Sequence, residues 1–276
     1  MIYSIRLCAY IFKINKGGFP LTENIDGLNI NYILKGEGDL VVLLHGWGSN
    51  ITLFNAAIDL LSTKYKVLAF DMPGFGESDE PKEPWCVDDY VDFVLKFLSK
   101  NEFNKITLLG HSFGGRVIIK LCARELPFEI EKVILVDSAG VKPEKTTSQK
   151  IKQKGYKMTK RLFETKAVKT MFPDALENLR RKNGSADYNA ASPTMRATLV
   201  KVVNEDLTDL MPSVKCPALL IWGRNDDATP VSDGQLMEKL MPESALVVFE
   251  NAGHYSFLEQ QAQFLRVLAS FMNIQL

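Results

Sequence analysis

The pentapeptide Gly110-His111-Ser112-Phe113-Gly114 places a serine midway between two glycines, directly after an apolar run and directly before a helix-length segment. A G-x-S-x-G turn between strand and helix holds its serine at the apex of a tight, strained bend. Side chains two positions either side would collide with neighbouring elements, so glycine is needed at 110 and 114. The helix that starts there aims its amides at any negative charge formed above Ser112. A chain of ordinary composition and this length contains roughly 0.1 such pentapeptides by chance, fewer still after a strand, so the match carries weight.

A serine hydroxyl is a weak nucleophile at neutral pH and needs a base within hydrogen-bond reach; the chain offers three histidines. His111 adjoins Ser112, so its side chain diverges from the hydroxyl. His45, in LLHGWGSN, leaves an earlier strand and is expected to make structural hydrogen bonds. His254, in ENAGHYSFLEQ, follows the last strand-like run and precedes the last helix, in a loop that can fold back over the sheet's carboxyl edge. It is the expected base. The base in turn needs an acid to fix its tautomer and stabilise the imidazolium. Asp226 and Asp227 in IWGRNDDATP and Asp137 in ILVDSAG all sit at strand ends, and each keeps the chain order serine, acid, histidine. The residues alone leave these alternatives open, the losers being turn and cap residues.

These side chains need a scaffold, and the hydrophobic pattern supplies one. Short apolar runs occur at Leu28 to Leu34, Leu40 to Leu44, Val67 to Phe70, Ile106 to Leu109, Val133 to Val136, Ala218 to Trp222 and Leu246 to Phe249. Their continuous apolar character is what strands buried on both faces require. Val87 to Lys100, Gly115 to Leu126 and Phe257 to Met272 read as helices, with Asp88 and Asp89 suited to a first turn. The alternation predicts an α/β fold, a mostly parallel sheet flanked by helices.

One stretch breaks the rhythm. From Val141 to Pro212 no strand is evident, and a helix-prone series carries fifteen Lys and Arg against eight Asp and Glu, about +7. The remainder, eighteen against twenty-five, is about −7. Most of these charges are expected to solvate outward helix faces, the functional alternative being a basic lid for anionic substrates.

The bulk numbers narrow the function classes. At 276 residues the chain suits one large domain, or one domain with an insertion; 46% apolar and 24% charged residues describe an ordinary globular protein. Thirty-three basic residues balance thirty-three acidic ones, which removes the global positive field expected of a nucleic-acid binder. Cys8, Cys86, Cys122 and Cys216 form no C-x-x-C pair, so neither a zinc cage nor a disulfide framework is suggested, and a cytoplasmic setting is expected. In the N-terminal stretch the longest uncharged run, Leu7 to Phe12, is too short for a signal-peptide core or a transmembrane segment.

HGWGSN, DMPGFGESD, GHSFGG, WGRNDDATP and AGHYSFLEQ, spaced in order from residue 45 to residue 260, resemble the motif set of capped α/β-hydrolases. The resemblance covers nearly the whole chain beyond the first twenty residues and implies an eight-stranded, mostly parallel sheet flanked by helices, with a helical cap insertion. It makes residues 1–20 an accessory leader, 21–140 and 213–276 the core domain, and 141–212 the cap. In the family's W-G-x-x-D-x-x-x-P pattern the acid falls on Asp226. The backbone amides of Trp47 and Phe113 are implied as the oxyanion hole, with Gly46 and His111 beside the substrate. DMPGFGESD is a structural turn and no phosphate loop, since the Walker G-K-[ST] ending is missing. The implied activity is hydrolysis of a small-molecule carboxylic ester, ahead of thioesters and amides, through an acyl-enzyme and without cofactor or metal. Relatives that cleave carbon–halogen bonds or epoxides use aspartate where this chain has Ser112. The alternatives are a carbon–carbon bond hydrolase or lyase of dienoate-like acids, which Arg180, Arg181 and Arg196 would suit, and a slow-turnover ligand receptor.

Overall fold

The structure, a computed structural model, describes residues 20–100, 103–142 and 185–276, with Thr159, Arg161 and Phe163 as isolated positions. Its strands are β1 (Leu21–Ile25), β2 (Leu28–Lys35), β3 (Leu40–Leu44), β4 (Lys66–Phe70), β5 (Lys105–His111), β6 (Glu129–Val136), β7 (Ala218–Gly223) and β8 (Ser244–Phe249). They form one eight-stranded sheet in the order β1-β2-β4-β3-β5-β6-β7-β8. The first two pairings, β1 with β2 and β2 with β4, are antiparallel, and every later one is parallel. β1 is not among the apolar runs because it is a half-exposed edge strand, buried only at Ile25, and shows no continuous apolar stretch.

Successive residues of a strand face opposite sides, and the two buried clusters follow that alternation. Val42, Leu44, Leu108, Leu135 and Trp222 pack beneath α2 (Val87–Leu98), α3 (Phe113–Cys122) and α6 (Val231–Leu240). Val41, Leu43, Leu109, Ile134 and Ile221 face α1 (Asn55–Leu61) and α8 (Gln261–Phe271). Strands covered on both sides must be apolar throughout, and β3, LVVLL, is buried at every position.

Two helices differ from their sequence patterns. α3 begins at Phe113, directly after Ser112, and ends at Cys122 rather than Leu126. Pro127 disfavours helical backbone at Leu126, and the helix already ends four residues earlier, with Ala123 as its C-cap. The final helical stretch divides into α7 (Ser256–Glu259) and α8, because Gln260 leaves helical backbone at φ −121° and ψ 45°.

Within 141–212 the described elements are α4 (Ala186–Ala190), α5 (Pro193–Val203) and a 3₁₀ turn from Thr208 that runs to Ser213. Ser185 and Ser192 cap the two helices, and Pro193 occupies the first turn of α5, where it loses no helical hydrogen bond. Most of the expected cap and leader falls outside the described residues, including Arg180 and Arg181. Among the described residues no helix is long and apolar enough to cross a membrane.

Candidate active site

The register brings several strand ends level. Leu44 lies opposite Gly110, His111 opposite Val136, Val136 opposite Ile221 and Gly223 opposite Phe249. The loops that follow β5, β6, β7 and β8 therefore leave the same edge side by side, the place where open parallel sheets gather ligand-binding groups.

Ser112 occupies the bend between β5 and α3 with φ 48° and ψ −109°, a conformation that costs a non-glycine residue about 1–3 kcal/mol. Neighbours hold it there. Its amide donates to the Val136 carbonyl at 3.0 Å, and its own carbonyl accepts from Gly115 and Ala139, each at 3.0 Å. The flanking glycines are sterically required. A Cβ at 114 would stand 2.0 Å from the Leu44 carbonyl oxygen, and one at 110 would stand 2.8 Å from the Gly114 carbonyl carbon.

His254 meets the serine from the loop after β8, its Nε2 2.9 Å from Ser112 Oγ. On its other side Nδ1 is 2.9 Å from Asp226 Oδ2. The tautomer follows from the network: Nδ1–H donates to the carboxylate, which leaves the Nε2 lone pair facing the serine hydroxyl. Asp226 is buried and also accepts from the amides of Ala228 and Thr229, both at 2.9 Å, and from Thr229 Oγ1 at 2.7 Å. Burial alone would raise its pKa, but the hydrogen bonds from His254 and Thr229 win and hold it below the ordinary carboxylate value. Burial would likewise depress His254. The Asp226 hydrogen bond, with the charges of Asp226, Asp137 and Asp227, instead keeps it above the ordinary imidazole value.

The three acids separate cleanly. Asp226 touches His254, whereas Asp227 is exposed and Asp137 is buried beside the site without a hydrogen bond to the imidazole. Thr229 and Ser256 carry no motif in the sequence, yet both hold the site, Thr229 on Asp226 and Ser256 on Asp137. Their only sequence signal is proximity: Thr229 comes three residues after Asp226, and Ser256 two after His254.

The other two histidines are hydrogen-bonded within the fold. His45 donates Nδ1–H to the Gly46 carbonyl at 2.7 Å and accepts the Met72 amide on Nε2 at 2.9 Å, tying the HGWG loop to the DMPGFGESD turn. Its burial depresses its pKa, so the ring is neutral as this pattern requires. His111, expected beside a substrate, is 1% exposed and gives its Nε2–H to the His254 carbonyl. Gly46 lies against the serine: a Cβ there would be 3.3 Å from Ser112 Cβ.

Trp47 is the second residue of a turn closed by the Ser49 amide on the Gly46 carbonyl, and Phe113 is the first residue of α3, whose amide has no partner inside a helix. Their rings fix the two backbones relative to each other. The indole of Trp47 meets Phe113 edge-on at 5.6 Å and Phe75 at 4.8 Å, and both phenyl rings are buried in the core beneath the two loops. α5 closes over this region. Thr198 Oγ1 accepts the Trp85 amide, Ser192 Oγ donates to Glu80, and Met195 packs so tightly on Gly74 that a Cβ there would lie 2.4 Å from its sulfur. Arg196 is engaged locally, donating to the carbonyls of Tyr188 and Asn189. Among the described residues no cluster of three or more His, Cys, Asp or Glu is placed to hold a metal ion.

A family profile described as alpha/beta hydrolase fold matches residues 39–261. The chain is 29% identical over 253 residues to a pimeloyl-[acyl-carrier protein] methyl ester esterase of Aliivibrio fischeri, covering 87% of this chain and 95% of that one. Its fold is similar to that of a bacterial membrane phospholipase A, with TM-score 0.72 and 23% identity over 92% of this chain and 86% of that one. It is also similar to a meta-cleavage product hydrolase, with TM-score 0.69 and 23% identity over 94% and 99% of the two chains.

Proposed function

The chain belongs to the alpha/beta hydrolase family, and from that premise we propose that it is a serine hydrolase of carboxylic esters, with Ser112 as nucleophile, His254 as base and Asp226 as acid. The observation that carries the reading is the continuous relay from Ser112 Oγ through both nitrogens of His254 to Asp226 Oδ2, two contacts of 2.9 Å each. In the first step His254 Nε2 takes the hydroxyl proton as Oγ bonds to the ester carbonyl carbon. The amides of Trp47 and Phe113 receive the oxyanion, each such donor contributing about 3 kcal/mol to the transition state. Collapse expels the alcohol, which takes the proton from His254. Water then gives a proton to the same nitrogen and attacks the acyl-serine, releasing the acid and returning the proton to Oγ. Asp226 stays anionic throughout and stabilises the imidazolium.

An ester is favoured by the methyl ester esterase among the relatives. Residues 141–212 act as the cap, a role supported by the contacts of α5 with the Gly74 turn and Trp85. The free thiols of Cys86, Cys122 and Cys216 favour a reducing, cytoplasmic setting.

The test is labelling with a fluorophosphonate, read by intact-protein mass, followed by turnover of p-nitrophenyl esters of increasing chain length. The parent should gain one adduct, and Ser112→Ala and His254→Ala should gain none on the same timescale. An adduct that persists in Ser112→Ala would reject the assignment.

A further inference from the structure

The carboxylate that lost the contest for the acid is placed in a way that its own strand does not require. Asp137, immediately beyond β6, is fully buried, with φ 44°. Its Oδ1 accepts the Gly223 amide at 2.8 Å, and its Oδ2 accepts the Ser256 amide at 3.0 Å and the Ser256 hydroxyl at 2.7 Å. Its backbone carbonyl accepts Thr229 Oγ1 at 3.0 Å, the same hydroxyl that reaches Asp226. Its amide donates to the Ile221 carbonyl at 2.8 Å.

Each partner lies on a segment that carries a reacting group. Gly223 ends β7, three residues before Asp226, and Ser256 opens α7, two residues after His254. One side chain thus grips the acid's loop with one oxygen and the base's loop with the other. Burying a carboxylate without a cation is expensive, and two strand ends can be joined without one. The carboxyl group sits where those two segments must converge.

We propose that Asp137 is the positioning residue of the site, a buried clamp whose two oxygens set the approach of Asp226 to His254. The proposal rests on the serine hydrolase reading and adds a residue that touches no substrate. A carboxylate so close to the imidazole also favours its protonated form. The titratable groups facing His254 are Asp226 and Asp227 from the β7 loop, Asp137 from β6 and His111 from β5. Burial raises Asp137 itself to about 7 against the pull of its three donors, so the charge it lends His254 is partial near neutral pH and complete only above it. Asp137→Asn removes the charge and turns an amide N–H toward donors, while Ser256→Ala removes one donor and leaves the backbone bonds intact.

Two readouts separate this idea from the reading beneath it. With p-nitrophenyl butyrate, Asp137→Asn should lower kcat about 10- to 100-fold and Ser256→Ala about 3- to 10-fold, with KM within about twofold. The acid limb of kcat/KM should move down by roughly half a pH unit in Asp137→Asn, a shift that simple loss of stability does not produce. The second readout needs no turnover: NMR titration of the His254 ring, assigned with His254→Gln, and the low-field Nδ1 proton. Asp137→Asn should lower the imidazole pKa and weaken that proton's resonance, and Ser256→Ala should weaken it partly. Folded variants with the parent's titration and low-field proton would overturn the clamp, and should Asp137→Asn fail to fold, Ser256→Ala decides alone. A parent that fluorophosphonate leaves unlabelled would sink the hydrolase reading, and the NMR comparison would still decide the clamp.

Discussion

His111 Nε2 donates to the main-chain carbonyl of His254 at 2.8 Å, so the residue just before Ser112 supports the backbone of His254. Burial pushes the His111 pKa down to about 3, helped by the neighbouring His254, and the ring is neutral at working pH. Nδ1 of the same ring is buried and has no partner among the described residues.

This burial makes the fold sensitive to acid. An unfolded chain protonates this histidine near 6.5, whereas the native state resists until about 3. Between those values the unfolded state binds more protons, so stability rises with pH, is fully present above 6.5 and falls below it by up to about 1.4 kcal/mol per unit. Urea unfolding at pH 5 and pH 7 should show the loss. His111→Gln, which retains an N–H donor, should flatten the dependence; an unchanged slope would contradict the assignment.

The acids should divide in solution as they do in the structure. Asp226→Asn removes the partner of Nδ1 and should lower kcat about 10³- to 10⁴-fold with p-nitrophenyl butyrate. Asp227→Asn, at an exposed position, should stay within about threefold of the parent. Collapse at 227 with retention at 226 would reverse the roles.

The pH profile should carry the signature of the raised imidazole. The base works unprotonated, and Asp226 favours its protonated form, so kcat/KM should climb with pH through a midpoint above the ordinary histidine value near 6.5. A midpoint below that value would show that the carboxylates do not control His254.

Gly114→Ala tests the packing beneath the bend. The added methyl would meet the Leu44 carbonyl at 2.0 Å, a rigid backbone atom of a central strand. Overpacking of this kind costs about 1–3 kcal/mol, so calorimetry should show Tm lowered by several degrees, with slower fluorophosphonate labelling as Ser112 is displaced.

Much of this architecture is legible in the sequence because buried strands cannot be other than apolar. LVVLL at β3 and ALLIW in β7 coincide with the strands, and GHSFGG marks the bend outright. β1, with LTENI half exposed, leaves no such trace, and α1 and α6 are short helices whose apolar positions mark them less clearly than the longer amphipathic stretches. Chemistry is legible where a residue type is scarce: with only three histidines the sequence points to His254, whose Nε2 lies 2.9 Å from Ser112 Oγ. It is not legible where a common residue acts through distant partners. Asp137 holds Ser256 across 119 positions, a relation that exists only once β6 and the loop after β8 lie together. His111 is similar, since its sequence neighbour says where it starts and only the packing says that it faces inward.

β8 has a further consequence. It lies at the margin of the sheet, paired with β7 alone, and the loop it feeds delivers His254. Outer strands are the first to detach on warming. Peeling of that seam, with release of the His111 and Asp137 bonds to the same loop, would withdraw the imidazole while leaving the serine poised on its bend, so inactivation by heat should precede collapse of the whole fold and reverse on cooling.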